Sequence, residues 1–535
     1  DVPRVAEYAK TLPGVVFADE ALFSCSQDHQ ERIRDVIEEH RLNRVVVASC
    51  SPRTHEPLFQ QTIRESGLNP YLFSMANIRD QCSWVHGSLP EQATEKSFDL
   101  LRMAVANARH LKPLHLSQQE IQRRALVIGG GLAGMTAALH IAEQGFPVTL
   151  VEQEAELGGG LRRLDRTHDG SPVAPRLESL VAQVDGHPKI TVMTGAEVVS
   201  SGGFLGNFES EVMVGPSQSP RRIDHAVTVV AVGAEEREPE EYLYGEDERV
   251  ITQLELEERL AEGSLAGGKA PRTVVMIQCV GSRDDDRPYC SRVCCTQAIK
   301  NALRLKELSP ATRVFVLYRD IRSYALHERI YTAARRKGVV FLRYEPEAGP
   351  RVEKKGDVLE VGIPEPSIGR EVTLEPDLLV LASAMVPRDV EELAEQLKIQ
   401  TTAEGFFLEA HMKLRPVEFA TAGVFLAGLA HGPKPVDETI GQAAAAASRA
   451  VTILSQDHLE VGGVVSKVDG DKCAVCLCCV RACPYDVPVI DEEGYARIEE
   501  AECRGCGICA SECPGKAIEL QHFSDAQIVE ICKSV

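Results

Sequence analysis

Two runs of cysteines near the end of the chain, CAVCLCCVRAC and CRGCGICASEC, share one spacing. Each run reads C-x2-C-x2-C-x3-C and is followed by a proline. This is the pattern of bacterial two-cluster ferredoxins, in which three thiolates of one run and the fourth of the other hold one [4Fe–4S] cluster. The predicted ligands are Cys473, Cys476, Cys479 and Cys513 for one cluster, and Cys503, Cys506, Cys509 and Cys483 for the other. A zinc ribbon or a set of buried thiols would not require this spacing twice. Cys478 is predicted to be a spare thiol, and Cys532 a surface or packing thiol.

A glycine-rich stretch, ALVIGGGLAGMTAALHIAEQGFPVTLVEQ, is typical of a dinucleotide-binding βαβ unit. Its G-x-G-x-x-G motif permits a tight turn, and it lets backbone amides reach a pyrophosphate at the helix N-terminus. About twenty residues further on, a carboxylate follows the second strand, where it can hold ribose hydroxyls. The candidate contacts are Gly129, Gly131, Leu132, Ala133, Gly134 and Glu152.

Three later stretches favour FAD over NAD as the bound dinucleotide. VVAVGA, which ends at Ala234, resembles the small-residue strand end that contacts a flavin nucleotide. AGVFLAGLAHGPKPVDETIGQAA resembles the segment in which a residue near the ribityl chain precedes a helix aimed at the isoalloxazine. Its candidates are Gly428, Thr439 and Gln442. GGGLRR is predicted to lie on the flavin side of the first unit, through Gly159 and Arg162.

A third set of cysteines lies in CVGSRDDDRPYCSRVCC, directly after the apolar run TVVMIQ. Flavoenzymes with two α/β units usually carry a second glycine turn for NAD(P)H at this place, so the sequence predicts that the nicotinamide site is absent. Cys279, Cys290, Cys294 and Cys295 can ligate one further [4Fe–4S] cluster, although the adjacent pair is unusual for a cluster. A redox-active disulfide and inert thiols are the alternatives. Lys300 follows on the next predicted helix, where its cation would stabilise a reduced flavin or would simply be exposed.

Three regions position these residues. Residues 1–115 read as an α/β domain, in which RVVVAS is a strand and ERIRDVIEEH is an amphipathic helix. Residues 122–462 read as a thioredoxin-reductase-like FAD domain, made of two Rossmann-type units with the second inserted at about 270–400. Residues 463–535 read as an α+β two-cluster ferredoxin domain. SQQEIQRR is a predicted polar link, and GPSQSPRRID is predicted to be a turn or linker between two short strands.

The composition of the chain limits its possible partners and its compartment. The chain has 535 residues, with a net charge of −21, which argues against a nucleic-acid surface and suits docking to basic patches of partner proteins. It contains no apolar run of about 18 residues, so no membrane span is predicted. Seventeen cysteines at short spacings point to metal rather than to disulfides, which makes the cytoplasm the expected compartment. The start, DVPRVAEYAK, reads as that of a fragment lacking its first residues.

Several stretches together resemble the A-type subunit of heterodisulfide reductase, the iron–sulfur and flavin subunit of methanogens and other anaerobes. They are NRVVVASCSPRTHEPLF, GLNPYLFSMANIRDQCSWVH, VIGGGLAGMTAALHIAEQGFPVTLVE, VITQLELE, CVGSRDDDRPYCSRVCC and the closing ferredoxin. The resemblance implies an FAD that splits an electron pair between ferredoxin and a disulfide-reducing partner. It implies B- and C-type subunits, a hydrogenase or formate dehydrogenase electron-input subunit, and ferredoxin as partners. The expected assembly is a hetero-oligomer or a dimer of such complexes.

The chain departs from this family in two places. A Cys-x-Cys-Gly stretch common in the family is missing before DVPRVAEYAK, so Cys25, Cys50 and Cys82 would form an incomplete ligand set for an amino-terminal cluster. Methanogen members also insert a ferredoxin domain where this chain has GFLGNFESEVMVGPSQSPRRIDHAVTVVAVG, which contains no cysteine. The similar flavin subunit of the quinone-interacting membrane oxidoreductase lacks that insert too. A non-bifurcating relay, an NAD(P)H-dependent iron–sulfur flavoprotein and a thiol oxidoreductase acting through Cys294 and Cys295 are therefore the rival functions.

Overall fold

The computed structural model describes residues 1–215, 219–265, 270–365 and 369–535. It divides into two compact units, one made of residues 1–119 and 458–535, the other of residues 120–457. Residues of the first and last predicted regions thus share a unit, while the predicted flavin region forms the other. The predicted domain boundaries themselves stay predictions.

The central unit contains two parallel five-stranded sheets. In spatial order the first sheet consists of Val424–Leu426, Val227–Val230, Ala125–Ile128, Val148–Val151 and Ile190–Met193. The second consists of Val250–Thr252, Leu378–Ser383, Thr273–Val280, Arg313–Tyr318 and Val340–Arg343. Because the second sheet lies in the chain between two neighbouring strands of the first, the prediction of one Rossmann-type unit inserted in another is confirmed.

The strands of these sheets are apolar because both of their faces are covered. Helices Leu132–Glu143 and Val436–Leu454 pack on one face of the first sheet, around Val127 and Val229. Three helices pack on one face of the second sheet, around Met276: Gln253–Ala261, Cys294–Leu308 and Glu328–Arg336. Each opposite face is covered in part by a three-stranded antiparallel sheet. The strands of these smaller sheets are Ala196–Phe204, Asn207–Val214 and Ser219–His225, and Arg351–Lys355, Val358–Glu365 and Arg370–Leu374.

The other unit joins an α/β part to the cysteine repeats. Strands Val45–Ser49 and Phe73–Asn77 pair in parallel, and helices Gln27–His40, Pro52–Glu65 and Pro90–His110 accompany them. The repeats form two antiparallel strand pairs, Ser466–Val468 with Ile518–Leu520 and Pro488–Ile490 with Ala496–Ile498. Short helices Cys478–Ala482 and Ile508–Ser511 follow the cysteine loops, and the final helix Asp525–Lys533 packs on Pro90–His110. The predicted α/β and α+β classes are confirmed.

Two stretches that were predicted as links lie partly in strands of the structure. SQQEIQRR overlaps the strand Leu116–Glu120, which pairs with His458–Gly462 far along the chain. Within GPSQSPRRID, Gly215 is a turn residue and residues 216–218 lie outside the described residues. Residues 219–224 belong to Ser219–His225, which pairs along its length with Asn207–Val214. The predictions were wrong for residues 117–120 and 219–224, because these strands carry mostly polar side chains. Pairing with other strands, not an apolar pattern, makes them extended.

Candidate cofactor sites

The glycine turn after Ala125–Ile128 has the geometry of a pyrophosphate cradle. A Cβ on Gly129, whose φ is +105°, would lie 2.4 Å from the carbonyl oxygen of Ala231, and one on Gly134 would lie 1.8 Å from the Gly129 carbonyl oxygen. A Cβ on Gly131 would meet nothing within 4 Å. The first two glycines therefore allow close backbone packing, while Gly131 leaves open space in which a ligand can approach the helix N-terminus.

The acidic residue of the motif is fixed beside this turn. The buried carboxylate of Glu152 accepts hydrogen bonds from the backbone N–H of Gly130 at 2.6 Å and of Glu154 at 2.8 Å. The Gly130 carbonyl in turn accepts from the N–H of Gly158 at 2.9 Å. These bonds bring the carboxylate predicted to hold the ribose to the glycine turn.

The segment predicted to follow the flavin lies against the same turn. Gly428 has φ +74°, and a Cβ there would lie 2.7 Å from the Cβ of Ala133. The N–H of Gly428 donates to the side-chain oxygen of Gln442 at 2.9 Å. Thr439 is 2% exposed and its hydroxyl has no hydrogen-bond partner within the described protein. A buried hydroxyl without a partner beside a cradle of small residues fits a polar ligand atom, as FAD would supply.

The remaining predicted contacts differ in position. A Cβ on Gly159 would lie 3.2 Å from the Cα of Gly131, so this residue is at the turn. Arg162 is instead held by its own loop, through the Leu157 carbonyl at 2.6 Å and the Glu156 carboxylate at 2.9 Å. Ala234 begins the strand Ala234–Glu236, which pairs with Met385–Pro387 and connects the two Rossmann-type units.

Two groups near Gly428 were not identified from the sequence. The buried ammonium of Lys434 donates to the carbonyls of Gly428 and Gly432, and burial lowers its pKa to about 8. His431 contacts Gln442 at 2.9 Å through Nδ1 and Glu409 at 2.9 Å through Nε2. Burial, and then Lys434, lower the pKa of His431. Both lie inside AGVFLAGLAHGPKPVDETIGQAA, but no spacing rule distinguishes them from ordinary loop residues.

Each ferredoxin-like cysteine set lines its own cavity. Cys473, Cys476, Cys479 and Cys513 line one cavity, and Cys483, Cys503, Cys506 and Cys509 line another. The structure thus brings together both predicted sets, including the exchange of the fourth cysteine between the runs. Cys478, predicted as a spare thiol, also lines the first cavity.

The cysteine loops have the same backbone conformation in both copies. Val475 and Leu477, which flank Cys476, have φ of 52° and 62°, and Gly505 and Gly507 at the matching positions have φ of 64° and 76°. A β-branched residue with positive φ is strained, and such strain persists where a site requires it. Successive N–H groups in this conformation form a concave surface that binds anionic groups, including iron–sulfur clusters.

Backbone N–H groups also face the thiols of these sets. The N–H of Ala517 donates to Sγ of Cys513 at 3.2 Å, and that of Ala496 to Sγ of Cys473 at 3.5 Å. The N–H of Cys478 and then its side chain lower the pKa of Cys476, while that contact raises the pKa of Cys478. Donors of this kind stabilise a thiolate. They favour Cys476 over Cys478 as the ligand.

The Cys279–Cys295 loop starts at an irregularity in the central strand of the second sheet. Pairing of Thr273–Val280 with its neighbour shifts register between Ile277 and Val280, and Cys279 itself has φ 63°. Gly281, Arg283 and Arg292 also have positive φ, of 66°, 59° and 57°. Such bulges redirect side chains next to functional sites. The backbone thereby turns out of the sheet into the loop that carries the other cysteines.

The thiols of this loop lie close enough to influence one another's pKa. Cys294 and Cys295 begin the helix Cys294–Leu308, and the contact between them raises the pKa of Cys294 and lowers that of Cys295. The pKa of Cys294 is raised further by its burial and by Cys279 and Cys290. The N–H of Arg292 donates to Sγ of Cys290 at 3.3 Å. Four thiols that interact in this way can share one cluster.

Lys300 lies on the same helix and forms an ion pair. Its Nζ lies 2.6 Å from one carboxylate oxygen of Glu257 and donates to the carbonyl of Arg166 at 2.6 Å. The side chains of Lys300 and Glu257 are 11% and 0% exposed, so the alternative of an exposed lysine is wrong. A flavin-tuning role stays a prediction, since Glu257 balances the cation.

The amino-terminal cysteines lie on separate elements. Cys50 follows the strand Val45–Ser49, and buried Cys82 lies in the π-helical turn Arg79–Trp84 soon after Phe73–Asn77. These parallel strands pair Ser49 with Asn77, so both thiols follow the same sheet edge. Cys25 is exposed and precedes Gln27–His40. A cluster here stays a prediction.

Comparison with known proteins identifies the family. Residues 124–163 match the model of the family described as FAD binding domain. The chain is 38% identical over 591 residues to an iron-sulfur subunit (A-type, number 2) of the CoB–CoM heterodisulfide reductase of Methanopyrus kandleri, covering 92% of this chain and 89% of that protein. It is 36% identical over 624 residues to the A-type subunit of the H2:CoB–CoM heterodisulfide,ferredoxin reductase of Methanothermobacter marburgensis, covering 99% and 94%.

A similar solved structure is the thioredoxin reductase of T. acidophilum, at 15% identity and a TM-score of 0.43, over 62% of this chain and 98% of that one. Among the described residues, every helix is too short or too polar to cross a lipid bilayer. The full-length similarity shows that the chain belongs to the family of A-type subunits of CoB–CoM heterodisulfide reductase and is a flavin-dependent electron-transfer component of an oxidoreductase complex.

Proposed function

We propose that this chain holds FAD and at least three [4Fe–4S] clusters and passes electrons between partner proteins of a heterodisulfide-reductase-type complex. Electrons would arrive from a hydrogenase or formate dehydrogenase subunit, and would leave to ferredoxin and to a disulfide-reducing partner made of B- and C-type subunits. The cytoplasm of an anaerobe is the proposed compartment, because cysteine-ligated clusters are oxygen-sensitive. Bound FAD would supply the step that converts an electron pair into single electrons.

The contact between Arg292 and Glu438 carries this proposal. Arg292 lies between Cys290 and Cys294, and its guanidinium donates to the Glu438 carboxylate at 2.9 Å and to the Pro433 carbonyl at 3.2 Å. Glu438 lies in the first turn of the helix Val436–Leu454, directly before Thr439. The cysteine loop is therefore fastened to the segment predicted to follow the flavin. A cluster in this loop and a flavin at Gly428 would be neighbours, as single-electron transfer requires.

The residues that would hold each group have defined roles. Gly131 leaves the pyrophosphate room, Glu152 would accept ribose hydroxyls, and Thr439 offers a hydroxyl without a partner. The N–H groups of Ala496 and Ala517 face cluster thiols, and such hydrogen bonds set the reduction potential of a cluster. The two repeats would be the outlet to ferredoxin.

Relatives support the choice of donors and acceptors. The Methanothermobacter marburgensis relative is named for hydrogen, the CoB–CoM heterodisulfide and ferredoxin, and one from Methanosarcina mazei, at 34% identity, is named as the A-type subunit of a ferredoxin:CoB–CoM heterodisulfide reductase. The first name joins one donor to two acceptors, which is the pattern of flavin-based bifurcation. The second joins ferredoxin to one acceptor.

A non-bifurcating relay is the second candidate. Residues 204–233 contain no cysteine, although this is where the resemblance places an inserted ferredoxin domain in methanogens. Strands Asn207–Val214 and Ser219–His225 occupy that place. With one cluster branch fewer, the chain would pass electrons along a single path.

The cofactor content is tested by anaerobic quantification of iron, sulfide and FAD in the full chain, with EPR. We expect one FAD and about twelve iron atoms per chain. Cys476→Ser and Cys294→Ser should each lose about four iron atoms, whereas Cys478→Ser and Cys532→Ser should lose none. Iron content unchanged by Cys294→Ser, with two thiols appearing when the unaltered chain is reduced, would instead show a disulfide between Cys294 and Cys295.

The path of the electrons is tested by reducing the protein with its FAD and clusters bound. A flavin whose second one-electron potential lies far above the first supports bifurcation, and a reversed order supports the relay. Anaerobic addition of NADPH alone should leave the flavin oxidised. Rapid reduction by NADPH would contradict both functions and would favour the NAD(P)H-dependent flavoprotein.

A further inference from the structure

Two histidines and an aspartate from distant parts of the central unit converge outside the cofactor sites described above. One nitrogen of His168, one nitrogen of His327 and one carboxylate oxygen of Asp437 all lie within 4.8 Å of one another. His168 lies in the loop after the turn Gly159–Arg163, His327 ends the turn Ala325–His327, and Asp437 is in the first turn of Val436–Leu454. We propose that these three side chains bind one divalent transition-metal ion of the zinc type.

The three ligand atoms, now within 4.8 Å of one another, would have to move closer together around an ion. Nε2 of His327 lies 3.7 Å from Oδ2 of Asp437. Ligand atoms about 2.0–2.1 Å from a tetrahedral zinc lie about 3.4 Å from one another. The rings of His168 and His327 are 4.2 Å apart between centroids and tilted by 48°. To bind one ion, the rings would move slightly apart as their nitrogens turn toward a common centre. An ion between them would replace a weak contact with three coordination bonds.

The central ligand is oriented by a further hydrogen-bonding group. His327 is 3% exposed, and its Nδ1 lies 3.4 Å from the hydroxyl of Thr296. A histidine that binds a metal through one nitrogen commonly has its other nitrogen held by such a group, which fixes the tautomer and the ring. The Thr296 contact leaves Nε2, the atom that faces Asp437, for the ion.

The start of the helix that carries Asp437 is anchored as well. Its neighbour Glu438 accepts from Arg292 at 2.9 Å and from the hydroxyl of Tyr324. Asp437 itself is 57% exposed, so solvent can supply a fourth ligand, as in zinc sites with three protein ligands. Two imidazoles and one carboxylate select a transition metal over Mg²⁺ or Ca²⁺, which prefer oxygen ligands.

The site would connect the two Rossmann-type units. His168 and Asp437 belong to the first unit, and His327 belongs to the inserted unit, beside the helix that begins with Cys294. An ion there would tie the cysteine loop and the predicted flavin segment together next to the Arg292–Glu438 pair. The proposal does not rest on the proposed function, because neither FAD nor a cluster supplies a ligand.

The test uses the full chain with its FAD and clusters in place, dialysed against EDTA and then given one equivalent of Zn²⁺. We expect about one retained zinc per chain, with nitrogen and oxygen neighbours at about 2.0–2.1 Å by X-ray absorption and no sulfur near 2.3 Å. His327→Asn and Asp437→Asn should each bind zinc at least 100-fold more weakly. Thr296→Val should bind it about 10–100-fold more weakly.

The matched control is His140→Asn, since His140 is an exposed histidine on the helix Leu132–Glu143 of the same unit. It should bind zinc as the unaltered chain does. Asp437→Asn changes an exposed carboxylate, and FAD and iron contents equal to those of the unaltered chain would show that it is folded. Sulfur neighbours around zinc, equal zinc retention in His327→Asn, Asp437→Asn and the control, or no retention at all would each overturn the proposal. Loss of FAD or iron from the unaltered chain would count against the proposed function alone.

Discussion

Replacing Lys300 by methionine should destabilise the central unit strongly. The substitution keeps most of the aliphatic stem but removes the ammonium that pairs with Glu257 at 2.6 Å. Glu257 is 0% exposed, so its carboxylate would stay buried without an opposite charge. Removing one member of a buried ion pair costs about 3–5 kcal/mol, because the desolvation of the other charge is no longer offset.

The lower end of that range is expected here. The N–H of Asp165 donates to the Glu257 carboxylate at 3.0 Å and would remain in the variant. For a unit of this size, a loss of 3–5 kcal/mol lowers the melting temperature by about 4–7 °C. The measurement is anaerobic calorimetry of the full chain at one scan rate, with far-UV circular dichroism as a second probe.

The control is the double variant Lys300→Met with Glu257→Met. Replacing both charges by apolar groups of similar size should return the stability to within about 1 kcal/mol of the original or above it. The double-mutant cycle then isolates the pair from the separate effects of the two substitutions. A drop of less than about 1 °C in Lys300→Met, together with a shifted flavin potential, would refute the structural role and would favour flavin tuning.

Three further results are expected. Gly131→Ala should keep the melting temperature but bind FAD more weakly, because its Cβ fills open space where the ligand would lie. Gly134→Ala should lower the free energy of unfolding by about 1–3 kcal/mol, because its Cβ would lie 1.8 Å from a carbonyl oxygen. Equal stability of the two variants would contradict this assignment. Thr439→Val should leave the FAD-free chain equally stable or more stable by up to about 1–3 kcal/mol, since it removes a buried hydroxyl without a partner. The same variant should bind FAD more weakly in a fluorescence titration. Unchanged affinity would place the flavin elsewhere. Burial lowers the pKa of His225 from 6.5 to about 4, so the folded chain resists its protonation, and the free energy of unfolding should fall by about 1 kcal/mol between pH 7.5 and 5.5. This pH dependence should shrink by the same amount in His225→Asn, and an unchanged pH dependence would show that other groups cause it.

Features whose signal is local could be predicted from the sequence. Buried parallel strands such as Ala125–Ile128 and Thr273–Val280 are continuous apolar runs, because helices or small sheets cover both of their faces. The glycine turn and the two cysteine repeats have fixed spacings, because one short loop must wrap one ligand. The strands were predicted correctly for that physical reason, whereas the ligands of the turn and of the repeats stay predictions.

Features made by tertiary contacts could not be predicted. The strand Leu116–Glu120 is polar and exists through its pairing with His458–Gly462. The lowered pKa of Lys434 follows from its burial beside Gly428, and the Lys300–Glu257 pair joins two helices more than forty residues apart. His168, His327 and Asp437 have no mutual spacing, so only the folded chain shows that they meet.

The position of the cysteine loop explains how one fold can serve single-electron chemistry. In each parallel sheet, ligands bind where the strand order reverses, outside the carboxyl ends of the strands. In the first sheet this point lies between Ala125–Ile128 and Val227–Val230, where Gly129 packs against Ala231 and leaves a cradle for a pyrophosphate. In the second sheet it lies between Thr273–Val280 and Leu378–Ser383, where the backbone turns at Cys279. A nicotinamide at that point would deliver two electrons as a hydride, whereas a cluster delivers one. A cluster held by a turn of thiols in place of a glycine turn would therefore change the number of electrons that pass through the second unit, while the sheet beneath it keeps its topology.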